Sequence, residues 1–110
     1  MRIWDLPPRA LCRQHLLGEH RELHGLWNIL RLRLKGYSRH PETLRWVGKT
    51  RALAARHERL VAEMARRGYG HATPLPDAAL LGPRRQTARV QTLAEQRARL
   101  RGKGCECRVT

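Results

Sequence analysis

The stretch Cys12-Arg13-Gln14-His15-Leu16-Leu17-Gly18-Glu19-His20-Arg21-Glu22-Leu23-His24-Gly25-Leu26-Trp27 reads as a long amphipathic helix. Its apolar positions Cys12, Leu16, Leu23 and Trp27 continue into Leu30 and Leu34. At about 100° per residue, these six fall within a stripe of roughly 60°, the pattern of one helix face on a core. Pro7-Pro8 can open that helix, because a first turn tolerates proline. A second face carries Gln14, His15, Gly18, Arg21, Glu22 and Gly25. Each glycine inside a helix costs about 1 kcal/mol relative to alanine. Two of them on one face point either to tight packing or to something that approaches the backbone closely.

Outward from this helix, Lys35-Gly36-Tyr37-Ser38-Arg39-His40-Pro41 breaks the pattern. A second helix is expected from about Pro41 to Arg67, stopped by Gly68. Its apolar side is Val47, Leu53, Leu60, Val61 and Met64 with Ala54 and Ala65; Arg45, Lys49, Arg51, Arg56, Arg59, Arg66 and Arg67 lie on the other faces, as a mostly solvated surface. Residues 69 to about 91, with Pro74, Pro76 and Pro83, read as irregular, long enough to be functional or loosely ordered. Thr92-Leu93-Ala94-Glu95 is a capping box that opens a short third helix ending near Gly102-Lys103-Gly104. No strand-period pattern or internal repeat is present. The fold class is therefore all-α: a compact single domain, 1–110, of two long helices and one shorter C-terminal helix with long irregular connections.

The chain carries 23 basic residues against 9 acidic ones, a net charge of +14. Only three of the 23 are lysine, a preference that codon usage explains; the shortage of acids it does not. Such an excess attracts polyanions, which makes double-stranded DNA the expected partner. Arg39 and Lys49, near the start of the second helix, are candidate phosphate contacts, as are Arg84, Arg85 and Arg89. No apolar run approaches the roughly 20 residues of a membrane span, and Asp5 and two prolines interrupt any signal-peptide pattern. A cytoplasmic protein without membrane or small-molecule cofactor is expected, acting as a monomer.

Three cysteines, Cys12, Cys105 and Cys107, argue for reduced thiols. Cys12 falls on the apolar stripe as a small core residue. Cys105-Glu106-Cys107 offers two thiolates without a second pair, a weak zinc signal, and no metal is expected. His20 and His24 are spaced for a metal but lack a surrounding zinc motif, so they read as surface or packing residues.

The amino-terminal segment adds chemistry. An α-amine has a reference pKa of only about 7.7–8.0, and cationic neighbours raise its neutral fraction further. Because Arg2 is large, Met1 is expected to be retained and to carry that amine. Met1-Arg2-Ile3, Gln14-His15-Leu16 and Glu19-His20-Arg21-Glu22-Leu23, followed by Leu60-Val61-Ala62-Glu63-Met64-Ala65-Arg66-Arg67-Gly68-Tyr69, resemble the pyrimidine-dimer DNA glycosylases of the phage UV-endonuclease type. The resemblance spans about the first 70 residues. It implies a compact all-α enzyme that excises ultraviolet-induced cyclobutane dimers and nicks the abasic site left behind. In that family the amino-terminal amine attacks sugar C1′, and the resulting Schiff base undergoes β-elimination.

Carried over by position, the catalytic amine is that of Met1 and the essential carboxylate is Glu22. DNA contacts fall on Arg2, Gln14, His15 and Arg21. The chain departs from the family pattern in having methionine first, Gly25 where a helix arginine stands, and a cysteine tail in place of an aromatic one. Two alternatives accompany this reading. One is the same imine chemistry on another damaged base or on abasic sites; the other is a DNA-binding module without catalysis.

Overall fold

The computed structural model describes residues 2–32, 39–70 and 73–108. Met1, Leu34 and the 35–38 part of the expected break lie outside the described residues. Among the described residues, four helices follow a 3₁₀ turn at Pro8–Ala10: α1 (Arg13–Leu32), α2 (Pro41–Leu44), α3 (Thr50–Arg66) and α4 (Leu93–Gly102). Among the described residues there is no strand, and the all-α expectation holds.

α1 buries Leu16, Leu23, Leu26 and Trp27 against Ala52, Leu53, Leu60 and Met64 of α3 in a single hydrophobic cluster. Ile3, Trp4, Leu6 and Leu11 of the amino-terminal segment, Trp46 and Leu100 of α4 complete that cluster. The helix begins later than Pro7-Pro8 suggests. Those prolines form only the 3₁₀ turn, Leu11 is extended, and α1 starts at Arg13. The capping box is present as expected: the Thr92 side chain accepts from the Glu95 amide, and Glu95 reaches back to the Thr92 amide.

The second helix is not continuous. It divides into α2 and α3 because the chain turns through Trp46-Val47-Gly48-Lys49, where Gly48 adopts φ 73°. This left-handed backbone suits glycine, which has no Cβ to clash. Opposite it, Gly82 has φ 77°, and a Cβ there would lie 2.4 Å from the Gly48 carbonyl oxygen. The two glycines let the irregular segment cross the α2–α3 corner at backbone contact. Val47, expected in the core, is in this turn and 57 % exposed. Within α3, Arg56 and His57 stand three and four residues after Leu53, on the face that packs in the core, and are buried with it; the corner buries Arg45. The expected solvated surface is thus corrected at Arg45 and Arg56.

Residues 73–91 lack helix but are tied down by named bonds. Trp27 Nε1 donates to the Pro76 carbonyl at 2.7 Å, and the Thr50 hydroxyl donates to that of Ala79 at 2.7 Å. The Leu81 amide donates to Thr50 Oγ1 at 2.7 Å, and the Arg51 guanidinium reaches the Gly82 carbonyl at 3.1 Å. An irregular segment has no ladder to satisfy its backbone, so side chains of α1 and α3 serve as its partners.

Candidate active site at the amino terminus

Three consecutive amides of the extended amino-terminal segment each donate to a side chain from a different helix. The Ile3 amide reaches Glu42 Oε1 of α2 at 3.4 Å, the Trp4 amide reaches Glu19 Oε1 of α1 at 3.1 Å, and the Asp5 amide reaches Gln96 Oε1 of α4 at 2.8 Å. Arg45 closes the clamp from the carbonyl side, donating to the Ile3 oxygen at 2.8 Å and to Asp5 Oδ1 at 2.9 Å. Gln96 Nε2 adds a bond to Asp5 Oδ2 at 2.8 Å. Buried backbone groups require partners. Here those partners are rigid helix side chains, so residues 3–5 are held in one position.

The clamp rests on a buried ion pair. Arg56 Nε and the second guanidinium nitrogen reach the two Glu19 oxygens at 2.7 and 2.9 Å, and a third bond runs to the Leu6 carbonyl at 2.8 Å. Burial pushes the Glu19 carboxyl upward, opposed by the Arg56 guanidinium and the Trp4 amide. With a bidentate partner and an amide donor on one carboxylate, the pair satisfies the geometry that a buried charge demands. Glu19 and Arg56 were not among the sequence candidates. The signal that could have found them was Glu19 itself, a charged residue at the Leu16, Glu19, Leu23, Leu26 spacing of the core stripe.

Beside the clamped segment lies a pocket of about 210 Å³ lined by Arg2, Trp4, His15, Gly18, Glu19, Glu22, Arg99 and Lys103. His15, Gly18 and Glu22 share one face of α1 because they are spaced three and four residues apart. A Cβ at Gly18 would meet nothing within 4 Å, and the same holds at Gly25. Neither glycine serves helix packing; at Gly18 the missing side chain leaves the pocket floor open. Arg2 is half-buried, stacks over the Trp4 ring at 4.9 Å and donates to Gln91 Oε1. Burial, and next Arg99, lower the Arg2 guanidinium from its ordinary value. His15 is likewise lowered by burial and then by Lys103.

The pocket thus brings together Arg2, His15 and Glu22 of the sequence candidates. Gln14 and Arg21 lie exposed on α1 outside this lining. Arg39 is exposed before α2, and Lys49 bonds Gln86 Oε1 at 2.8 Å on the α2–α3 corner. The catalytic candidate Met1 lies outside the described residues, one residue before Arg2. Trp4 also lines a larger groove of about 630 Å³, whose walls include Trp46, Arg56, Arg59, Arg84, Arg85 and Arg89. The amino-terminal segment therefore borders a carboxylate-bearing pocket and an arginine-rich groove at once.

Fold and site together define a small, arginine-rich, all-helical protein organised around its own amino-terminal segment. A family model for pyrimidine dimer DNA glycosylase matches residues 1–77 of the 110, and the chain belongs to that family. It is accordingly placed among DNA repair glycosylases, for which DNA is the substrate. Comparison with curated proteins and with solved structures gives no match. The family match covers α1, α2 and α3; α4 and the cysteine tail lie beyond it. Among the described residues, no helix is long and apolar enough to cross a membrane.

Proposed function

We propose that this protein excises ultraviolet-induced pyrimidine dimers from double-stranded DNA and then nicks the abasic site by β-elimination. The α-amine of Met1 attacks sugar C1′ as the N-glycosidic bond breaks, and the base leaves with the bonding pair. The C1′–O4′ bond then opens, O4′ taking the proton that the amine gives up, and the resulting iminium acidifies C2′. Loss of that proton expels the 3′ phosphate, and water later releases the amine. Glu22 stabilises the cationic sugar and moves protons during imine formation. Arg2 contacts the phosphate beside the lesion and brings the amine within attack distance. Gln14, His15, Arg21, Arg39 and Lys49 are assigned to DNA contact, and the protein acts as a monomer.

One observation carries this reading: the clamp that fixes residues 3–5 beside the pocket containing Glu22. A reactive amine at a chain end gains effective concentration only if its neighbours are immobilised. Three helices immobilise them here.

The test treats a duplex with one cyclobutane thymine dimer, and an undamaged twin, with protein and borohydride. A covalent adduct on the dimer duplex alone is expected, lost on amino-terminal acetylation and in Glu22→Gln. An adduct on an abasic duplex but not on the dimer would overturn the assigned lesion while keeping the lyase. No adduct on any duplex would leave a DNA-binding module.

A further inference from the structure

The fold assembles a second constellation that shares only His15 with the residues of the glycosylase reading. Cys12, His15, Cys105 and Cys107 place their ligand atoms all within 4.8 Å of one another. The first two flank the start of α1, and the last two come from the tail after α4, about 90 residues later. The tail is led there by a turn at Gly104, with φ 67°, and is fastened by the Arg108 amide donating to the Ala10 carbonyl at 2.7 Å.

Both Cys12 Sγ, at 3.1 Å, and Cys107 Sγ, at 3.3 Å, converge on His15 Nδ1. A ring nitrogen has one lone pair or one hydrogen, so it serves one of these sulfurs well, not both. A cation among them would engage every donor. With metal–ligand bonds of about 2.0–2.3 Å, a zinc tetrahedron has edges of about 3.5–3.8 Å, and the observed spacings need only small side-chain adjustments to meet it. The Cys12 amide already donates to Cys107 Sγ at 3.1 Å, a bond that a metal-bound thiolate accepts readily. The His15 ring is oriented from outside the cluster by a T-shaped contact with Trp4, ring centroids 6.0 Å apart.

We propose that Cys12, His15, Cys105 and Cys107 bind a tetrahedral zinc ion that ties the carboxyl-terminal tail to the start of α1. Three sulfurs and one imidazole form a soft, closed donor set, which selects zinc over magnesium or calcium and leaves no open position for catalysis. Binding releases the three thiol protons and leaves a site of net charge −1, beside Lys103. The ion's role is to position: His15 and Lys103 both line the pocket that contains Glu22, so zinc fixes one of its walls. The inference does not depend on the glycosylase reading, and its test does not measure nicking.

The full chain, purified without chelator, is expected to carry about one zinc per molecule by elemental analysis. Added Co²⁺ should replace zinc and give a sulfur-to-metal charge-transfer absorption together with the visible bands of tetrahedral cobalt. Cys105→Ser and Cys107→Ser should each weaken metal affinity about tenfold or more, whereas His24→Ala should leave the sulfur band intact. Because a ligand variant can also fail to fold, the cobalt spectrum of the unaltered protein is decisive by itself. Bound metal without a sulfur band would place it on His20, His24 and His57, whose nitrogens also cluster within 4.8 Å, and would overturn the proposal. So would a cysteine disulfide in the mass spectrum, or zinc below about a tenth of an equivalent after dialysis against zinc.

Discussion

Arg56→Met isolates the ion pair on which the amino-terminal clamp depends. The Glu19 side chain is fully buried and that of Arg56 is 6 % exposed. Removing the guanidinium deletes two bonds to Glu19 and one to the Leu6 carbonyl, and leaves the carboxylate in the core with the Trp4 amide as its donor. Breaking a buried pair from one side costs about 3–5 kcal/mol. For a domain of this size, that corresponds to a fall in Tm of roughly 12–20 °C, a large part of a total stability of about 5–15 kcal/mol. Burial first, and then the neighbouring Asp5 carboxylate, raise the carboxyl of Glu19. In the variant, protonation should relieve the penalty, so the deficit is largest at neutral pH and shrinks as pH falls toward the ordinary carboxylate value. Adding Glu19→Leu should recover most of the stability but not all, since the Trp4 amide then lacks its acceptor, worth about 1–3 kcal/mol. Thermal and urea unfolding followed by circular dichroism measure each variant between pH 4 and 8. A Tm change under about 3 °C for Arg56→Met, or a deficit that grows on acidification, would refute the reasoning.

Gly18→Ala should stabilise the fold by about 0.5–1 kcal/mol, because a Cβ there meets nothing within 4 Å. It should at the same time reduce activity on damaged DNA; a rise in Tm with full activity would remove the pocket floor from the site. Arg84→Ala and Arg85→Ala together should flatten the salt dependence of DNA binding by about one unit of slope for each phosphate no longer neutralised, read from anisotropy titrations at several salt concentrations. An unchanged slope would take the arginine-rich groove out of the interface. The Glu63 carboxyl is held at about 2 by Arg66 and next by Arg67, against burial. Its folded value is depressed, so its contribution is present above about pH 4.5 and disappears as pH falls toward 2. Carboxyl NMR titration that finds Glu63 near its ordinary value would contradict this.

Much of the fold was legible in the sequence because local rules decide it. The apolar spacing of α1, the stop at Gly68 and the Thr92–Glu95 capping box each concern residues within a few positions of one another. The break between α2 and α3 was not legible. Gly48 interrupts a pattern that otherwise continues, and its partner Gly82 stands 34 residues away. The late start of α1 was hidden for a similar reason: prolines permit a first turn without requiring that a helix continue from it.

At the site, the sequence by itself determined the chemistry on offer: a basic chain, a glutamate on a helix face with two glycines, and an arginine beside the amino terminus. It also carried the family, whose signature lies in contiguous motifs within residues 1–77. Only the tertiary structure decided which charges are structural. Glu42 and Arg45 carry the same ionisable groups as surface residues, and nothing local separates them from Glu22 or Arg21; Glu19 stands at the spacing of the core stripe, but its partner Arg56 lies 37 residues away. Burial separates these charges from the surface ones, and burial is set by where three helices and the amino-terminal segment meet. The meeting of Cys12 and His15 with Cys105 and Cys107 is likewise invisible along the chain. Two half-sites about 90 residues apart become one set of ligands only when the tail folds back onto the start of α1.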